Sequence, residues 1–161
     1  MSKVIKPLKV KHYRERPGYC GPASLKILFS HYGVEASEIK LGRIAGTVAK
    51  IGTFHEGLVK AAEVHGFKTY TKERATFKDL DTWINRKKTP VIVDWFSDYD
   101  DHYAVVIGLD KKYIYMDDPE LDKPMRRIER SFFNHIWFGF TGKNNEKVSW
   151  RWMMTIEPKI T

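Results

Sequence analysis

The chain predicts an α+β domain, an N-terminal helical part packed on a C-terminal, mainly antiparallel sheet. Two observations carry that reading. Apolar residues recur at helical spacing from Cys20 to His65, and from position 90 short β-branched runs follow one another across tight connections. The opening segment alternates instead, with Leu8, Val10 and His12 on one side and Lys9, Lys11 and Tyr13 on the other, the pattern of a half-buried strand. Pro17-Gly18 marks a turn after it.

A first helix starts at Cys20. Leu25, Leu28, Phe29 and Tyr32 make one apolar stripe, Pro22 falls in the first turn where its missing N–H is harmless, and Gly33 stops it. A second helix spans Ser37–Ala45, with Ser37 as cap and Gly46 as its end. A third runs from Thr53 to His65, with Glu56 and Lys60 as a favourable pair one turn apart, and Gly66 closes it. Phe67–Lys72 reads as a strand. Thr76 followed by Asp79 then caps a short helix reaching Ile84. Pro90–Phe96 has the composition of a buried strand, Ser97–Asp101 that of an acidic loop. His102–Gly108 and Tyr113–Met116 are further strands, ended by Asp117-Asp118-Pro119. A helix over Ser131–Trp137 and a strand over Trp150–Ile156 complete the chain.

At 161 residues, and without a repeat or a Pro/Gly/Ser-rich linker, residues 1–161 are expected to form a single domain. An apolar share of 42% and an aromatic share of 14% supply a core and exclude a disordered chain. The one cysteine, Cys20, excludes an intramolecular disulfide and a multi-cysteine zinc site. The histidines lack metal-ligand spacing, so neither a metal nor another cofactor is expected. Lys and Arg number 28 against 20 Asp and Glu, a net charge of +8. These charges are dispersed, without the clustered footprint of a nucleic-acid binder, which argues against nucleic acid as the partner. No stretch has the length of a membrane span, and the N-terminus lacks the apolar core of a signal peptide. The expected location is the cytoplasm.

Three residues are candidates for chemistry. Cys20 begins a helix, where unpaired N–H groups and the positive end of the helix dipole stabilise a thiolate. His102 opens a strand and is placed to serve a thiolate as general base and acid. Asp118 lies past the end of the next strand, which an antiparallel pairing returns to the start of its neighbour, so it can orient His102. Asp117 competes for that role, and because strand neighbours point to opposite faces only one of the two faces His102. His55, early in the third helix, is a spare candidate. No glycine-rich phosphate loop and no G-x-S-x-G motif is present.

Cys20-Gly-Pro-Ala-Ser-Leu25 resembles the nucleophile motif of the C39-type, papain-like cysteine peptidases. His102-Tyr-Ala-Val-Val-Ile-Gly-Leu-Asp110 is similar to the segment carrying their catalytic histidine, and Tyr115-Met-Asp-Asp-Pro119 to the segment ending in their Asp-Pro. Gly52-Thr-Phe-His-Glu-Gly57 looks like a helix start common in the group. The resemblance spans about His12 to Pro119. It implies a papain-like fold and a free-standing C39-like domain, a hydrolase in which Cys20 is the nucleophile, His102 the base and Asp118 the orienter. It further implies peptide or amide cleavage, or a related acyl transfer, with a peptide or protein as the substrate. The family carries a Gln six residues before the cysteine, whose amide lines the oxyanion hole. Arg14 stands there in this chain, and its donors and charge make it the oxyanion-hole candidate. The alternative reading is a catalytically lapsed C39-like module that binds peptides.

Overall fold

The structure is a computed structural model that describes residues 6–98 and 100–159. The first five residues of the N-terminal segment and Tyr99 of the acidic loop lie outside the described residues. Three helices come first: α1 Cys20–Ser30, α2 Glu38–Ala45 and α3 His55–Val64. Strand β1 Phe67–Lys72 follows, then α4 Phe77–Asp81, which runs on as a wider π turn over Thr82–Arg86. Next come β2 Val91–Phe96, β3 Asp101–Leu109, β4 Tyr113–Asp117 and β5 Arg126–Glu129. Helix α5 Arg130–Ile136 leads to β6 Phe138–Thr141, β7 Lys147–Trp150 and β8 Met153–Pro158.

Six strands form one sheet in the order β1-β8-β2-β3-β4-β5, every neighbouring pair antiparallel, and β6 and β7 form a separate hairpin. The central strands β2 and β3 are buried on both faces, and strand alternation divides their side chains between two cores. Tyr103, Val105 and Ile107 of β3 pack with Leu25, Leu28 and Phe29 of α1 and Leu58 and Ala61 of α3. Ala104 and Val106 point the other way, onto Leu80, Trp83, Phe133 and Trp137. The fold is thus α+β, as the sequence predicts.

Local capping rules hold closely. The Ser37 side chain accepts from the Lys40 amide, and Gly46 ends α2 in the left-handed conformation. Thr76 and Asp79 close a reciprocal capping box. Helix α1 differs from its expected single stripe: apart from Cys20, Lys26 and Ser30, its residues are buried, so it is a central helix. Tyr32 lies just beyond it and donates its hydroxyl to the Ile156 carbonyl at 2.7 Å.

Three expectations need correction. Residues 8–13 are extended but form no ladder. The Leu8 amide donates to the Ile107 carbonyl at 2.8 Å, beyond the point where β2 stops pairing with β3, the Lys11 amide donates to Ser30 Oγ at 2.8 Å, and Leu8, Val10 and Tyr13 pack on the core. The last strand is two, β7 and β8, broken at Arg151, whose φ of 50° cannot continue a strand. The sequence reading also omits β5 and β6.

Candidate functional site

The Pro17-Gly18 turn aims the chain into α1. Gly18 has a φ of 78°, and a Cβ there would fall 2.0 Å from the Ala49 carbonyl oxygen, so this approach admits only glycine. Cys20 then stands as the first residue of α1, half-buried, at the end of the helix where amides lack intrahelical partners.

His102, second residue of β3, is buried beside it. Its Nε2 lies 2.6 Å from Asp118 Oδ1, and its ring meets Trp95 edge-on at 6.1 Å between centroids. With Nε2 turned to the carboxylate, Nδ1 is the nitrogen left for the thiol. Burial opposes a charge on His102. Hydrogen bonding to Asp118 and to the Cys20 sulfur, with the charges of both, outweighs it and raises the imidazole well above its ordinary value. Asp118 has no exposed surface. It also accepts from the Glu120 amide at 2.9 Å and pairs with Arg126 Nε at 3.1 Å. Burial pushes its carboxyl up, but His102, the Glu120 amide and Arg126 reverse this and hold it below the usual carboxylate range.

Asp117 points elsewhere. Its Oδ1 lies 2.5 Å from His12 Nδ1, while His12 Nε2 donates to the Leu121 carbonyl at 2.6 Å. Burial raises the Asp117 carboxyl to about 6, against the opposing pull of His12. The two adjacent aspartates therefore serve two different imidazoles. His12 fastens the segment before the Pro17-Gly18 turn to the turn after β4, as does the Glu15 amide, which donates to the Pro119 carbonyl at 2.8 Å.

Arg14 lies on that fastened segment. Its guanidinium donates to Asp122 Oδ1 at 2.8 Å, and its side chain is 54% exposed. Next to it, Glu15 turns inward. One of its carboxylate oxygens, Oε1, is buried without a hydrogen-bond partner and lies 4.0 Å from His102 Nδ1. Burial raises the Glu15 carboxyl, the His102 charge lowers it, and Glu120 and Asp118 raise it again.

A second buried pair lies across the sheet. His55 Nε2 is 2.8 Å from Asp94 Oδ2 and stacks on Trp152 at 3.9 Å between centroids. Asp101 accepts from the Phe140 amide at 3.3 Å, and burial together with the nearby Asp94 charge raises its carboxyl to about 7. His31 and His65 bond to the Lys9 and Ala61 carbonyls, respectively, near helix ends. Among the described residues, His102, Asp118 and Glu120 are the group with ligand atoms close enough for a metal ion. Arg126, 3.1 Å from Asp118 and 3.9 Å from Glu120, already brings a cation to those carboxylates, so the donor set suits a metal poorly.

Sequence reasoning picks out Cys20, His102 and Asp118, which the fold brings together. It misses Glu15, Trp95, Glu120 and Arg126. A buried glutamate beside Arg14 leaves no periodic mark, and Arg126-Arg127 reads as a basic surface run. The order of the elements was the one usable signal, since it returns the end of β4 to the start of β3.

A thiol at a helix N-terminus, an imidazole on a strand and a carboxylate behind it, set between a helical part and an antiparallel sheet, define the papain-like class. Residues 11–142 match the Peptidase C39 family, and the chain belongs to that family. It is 34% identical over 134 residues to the transport/processing ATP-binding protein ComA of Streptococcus pneumoniae, covering 81% of this chain but 18% of ComA. It is 33% identical over 127 residues to an uncharacterised protein of Methanothermobacter marburgensis, covering 78% and 82% of the two chains. Among solved structures, the peptidase domain of Streptococcus ComA superposes with a TM-score of 0.73 at 24% identity, over 94% of this chain and 99% of that one. A double glycine motif protease from an AMS/PCAT transporter, in complex with the leader peptide, gives 0.71 at 21% identity over 95% and 94%. Among the described residues no helix is long and apolar enough to cross a membrane.

Proposed function

We propose that the chain is a cysteine peptidase, one C39-like unit over residues 1–161, that cleaves a peptide bond through Cys20, His102 and Asp118. The observation that carries this reading is the 2.6 Å contact between His102 and a fully buried, ionised Asp118, on an imidazole whose charged form the Cys20 sulfur also stabilises. In this reading the resting pair is thiolate and imidazolium. The sulfur attacks the carbonyl carbon, and the Cys20 backbone N–H supplies one donor to the oxyanion. Arg14 supplies the second by exchanging Asp122 for the oxyanion. His102 gives its Nδ1 proton to the departing amine. Water then releases the acyl group and restores the thiolate–imidazolium pair. Asp118 holds the ring and balances its charge, and Arg126 and the Glu120 amide hold Asp118.

The double-glycine leader complex among the similar structures motivates the substrate class: an extended peptide segment with small residues ahead of the cut. The test is incubation with synthetic peptides that contain a Gly-Gly site, with mass spectrometry of the products. Cleavage after the second glycine by the native protein, lost in Cys20→Ala, supports the reading. No product from any such peptide refutes this substrate class.

One observation favours a second reading, a peptide-binding module without turnover. Arg14 stands at the family's oxyanion position and is engaged with Asp122. Saturable peptide binding with no turnover, and turnover gained in Arg14→Gln, would select it.

A further inference from the structure

Glu15 has no role in the reactions described above, yet its surroundings are unusual. Its backbone amide is fixed to the Pro119 carbonyl, so the residue is anchored to the same turn that carries Asp118. Its side chain points inward rather than following the exposed Arg14. The Oε1 atom is buried and has no donor, which costs free energy unless a donor arrives during the working cycle. That atom lies 4.0 Å from His102 Nδ1, the nitrogen that is not committed to Asp118. Four ångströms is too long for a direct hydrogen bond. It suits one oxygen that bonds to both atoms at about 2.8 Å each.

We propose that Glu15 is a positioning residue for the water that hydrolyses the acyl-enzyme. The inference rests on the peptidase reading and extends it to the second half-reaction. After the amine has left, His102 is neutral with a lone pair on Nδ1, and Cys20 carries the acyl group as a thioester. One hydrogen of the water points at Nδ1 and the other at Glu15 Oε1, which turns an oxygen lone pair to the thioester carbon. The water oxygen forms the new C–O bond and Nδ1 takes one proton. The tetrahedral intermediate collapses with cleavage of the C–S bond, leaving thiolate, imidazolium and the free acid. Glu15 accepts a hydrogen bond throughout and neither gains nor loses a proton. Acylation needs no such water, so the contribution of Glu15 belongs to deacylation alone.

That separation is measurable with p-nitrophenyl acetate, which acylates a reactive thiol without peptide recognition. The release of p-nitrophenolate should show a burst that counts competent Cys20, followed by a steady rate set by deacylation. Glu15→Met removes the acceptor at similar volume, and Glu15→Ala removes it with the side chain. Both should keep the burst amplitude and kcat/KM while kcat and KM fall together by about tenfold or more. Glu15→Gln keeps an acceptor oxygen and should stay within about threefold of native. A merely structural role would lower the burst amplitude instead and would not be rescued by Gln. Turnover at the native rate in both Glu15→Met and Glu15→Ala, or a fall in kcat/KM equal to that in kcat, overturns the inference and leaves the peptidase reading standing. A native protein with no burst overturns both.

Discussion

Replacing Asp118 with Asn tests the support behind His102. The substitution keeps the shape and one acceptor oxygen but removes the charge. In the native protein that carboxylate accepts through Oδ1 from His102 Nε2 at 2.6 Å and the Glu120 amide at 2.9 Å, and Oδ2 is ion-paired with Arg126 Nε at 3.1 Å. A hydrogen bond to a charged group is worth about 1.5–3 kcal/mol, against about 1 kcal/mol for a neutral one. The imidazolium of the resting pair therefore loses about 1–2 kcal/mol of support. The nearby Arg126 cation, no longer balanced, adds about 1 kcal/mol of penalty to charging the ring. Together they amount to about 2–3 kcal/mol, or a fall of about 10²-fold in kcat/KM. The assay is turnover of a cleaved peptide at neutral pH, with thermal unfolding alongside. Asp117→Asn is the paired control, since it loosens the His12 clamp and should lower Tm by a few degrees while leaving kcat/KM within about threefold. Equal activity losses in the two variants, or a silent Asp118→Asn, would refute the reasoning.

Asp101 is expected to make stability fall as pH rises. Its folded value is raised to about 7, so the native state holds a proton that the unfolded chain has released from about pH 4 upward. Stability should decline between about pH 4 and 7, and Asp101→Asn should gain about 2 kcal/mol over native at pH 8 and little at pH 4, measured by urea unfolding. A Cβ on Gly139 would fall 2.3 Å from the buried Asp94 carboxylate, so Gly139→Ala should destabilise by about 1–3 kcal/mol; an unchanged Tm would contradict the packing. If Arg14 exchanges Asp122 for the oxyanion, Arg14→Ala should lose about 10²–10³-fold in kcat while Asp122→Ala retains activity. A surface pair alone is worth under about 1 kcal/mol, so a silent Arg14→Ala would remove Arg14 from the mechanism.

The helical half was legible because its signals are local. Ser37, Thr76 with Asp79, and Gly46 each act within a few residues, and each caps the helix the sequence predicts. The central sheet was legible in location but not in detail. β3 is buried on both faces, so Tyr103–Leu109 shows a continuous run without charged residues and no alternation from which to read its two cores. The short β6–β7 hairpin is held by aromatic contacts such as Phe138 with Trp150, which sequence spacing does not announce. The candidate site divides in the same way. Cys20 and His102 carry local marks, a helix start and a strand start. The choice between Asp117 and Asp118 needed strand alternation and the Asp-Pro resemblance, and the structure sets Asp117 on His12 and Asp118 on His102. Glu15 approaches the imidazole and Arg126 the Asp118 carboxylate behind it, and only tertiary packing brings them there.

The central claim is that Cys20 and His102 act as one reactive pair, and the rate of Cys20 alkylation by iodoacetamide across pH 5–9 tests it most directly. Asp118 and the Cys20 sulfur raise His102 well above its ordinary value, which favours the charged imidazole beside the sulfur. The account predicts rapid alkylation already at pH 6, falling by about tenfold or more in His102→Ala, whose thiol should then require alkaline pH. A native profile that rises only near the ordinary thiol value of about 8.5, and is unchanged by His102→Ala, would contradict it.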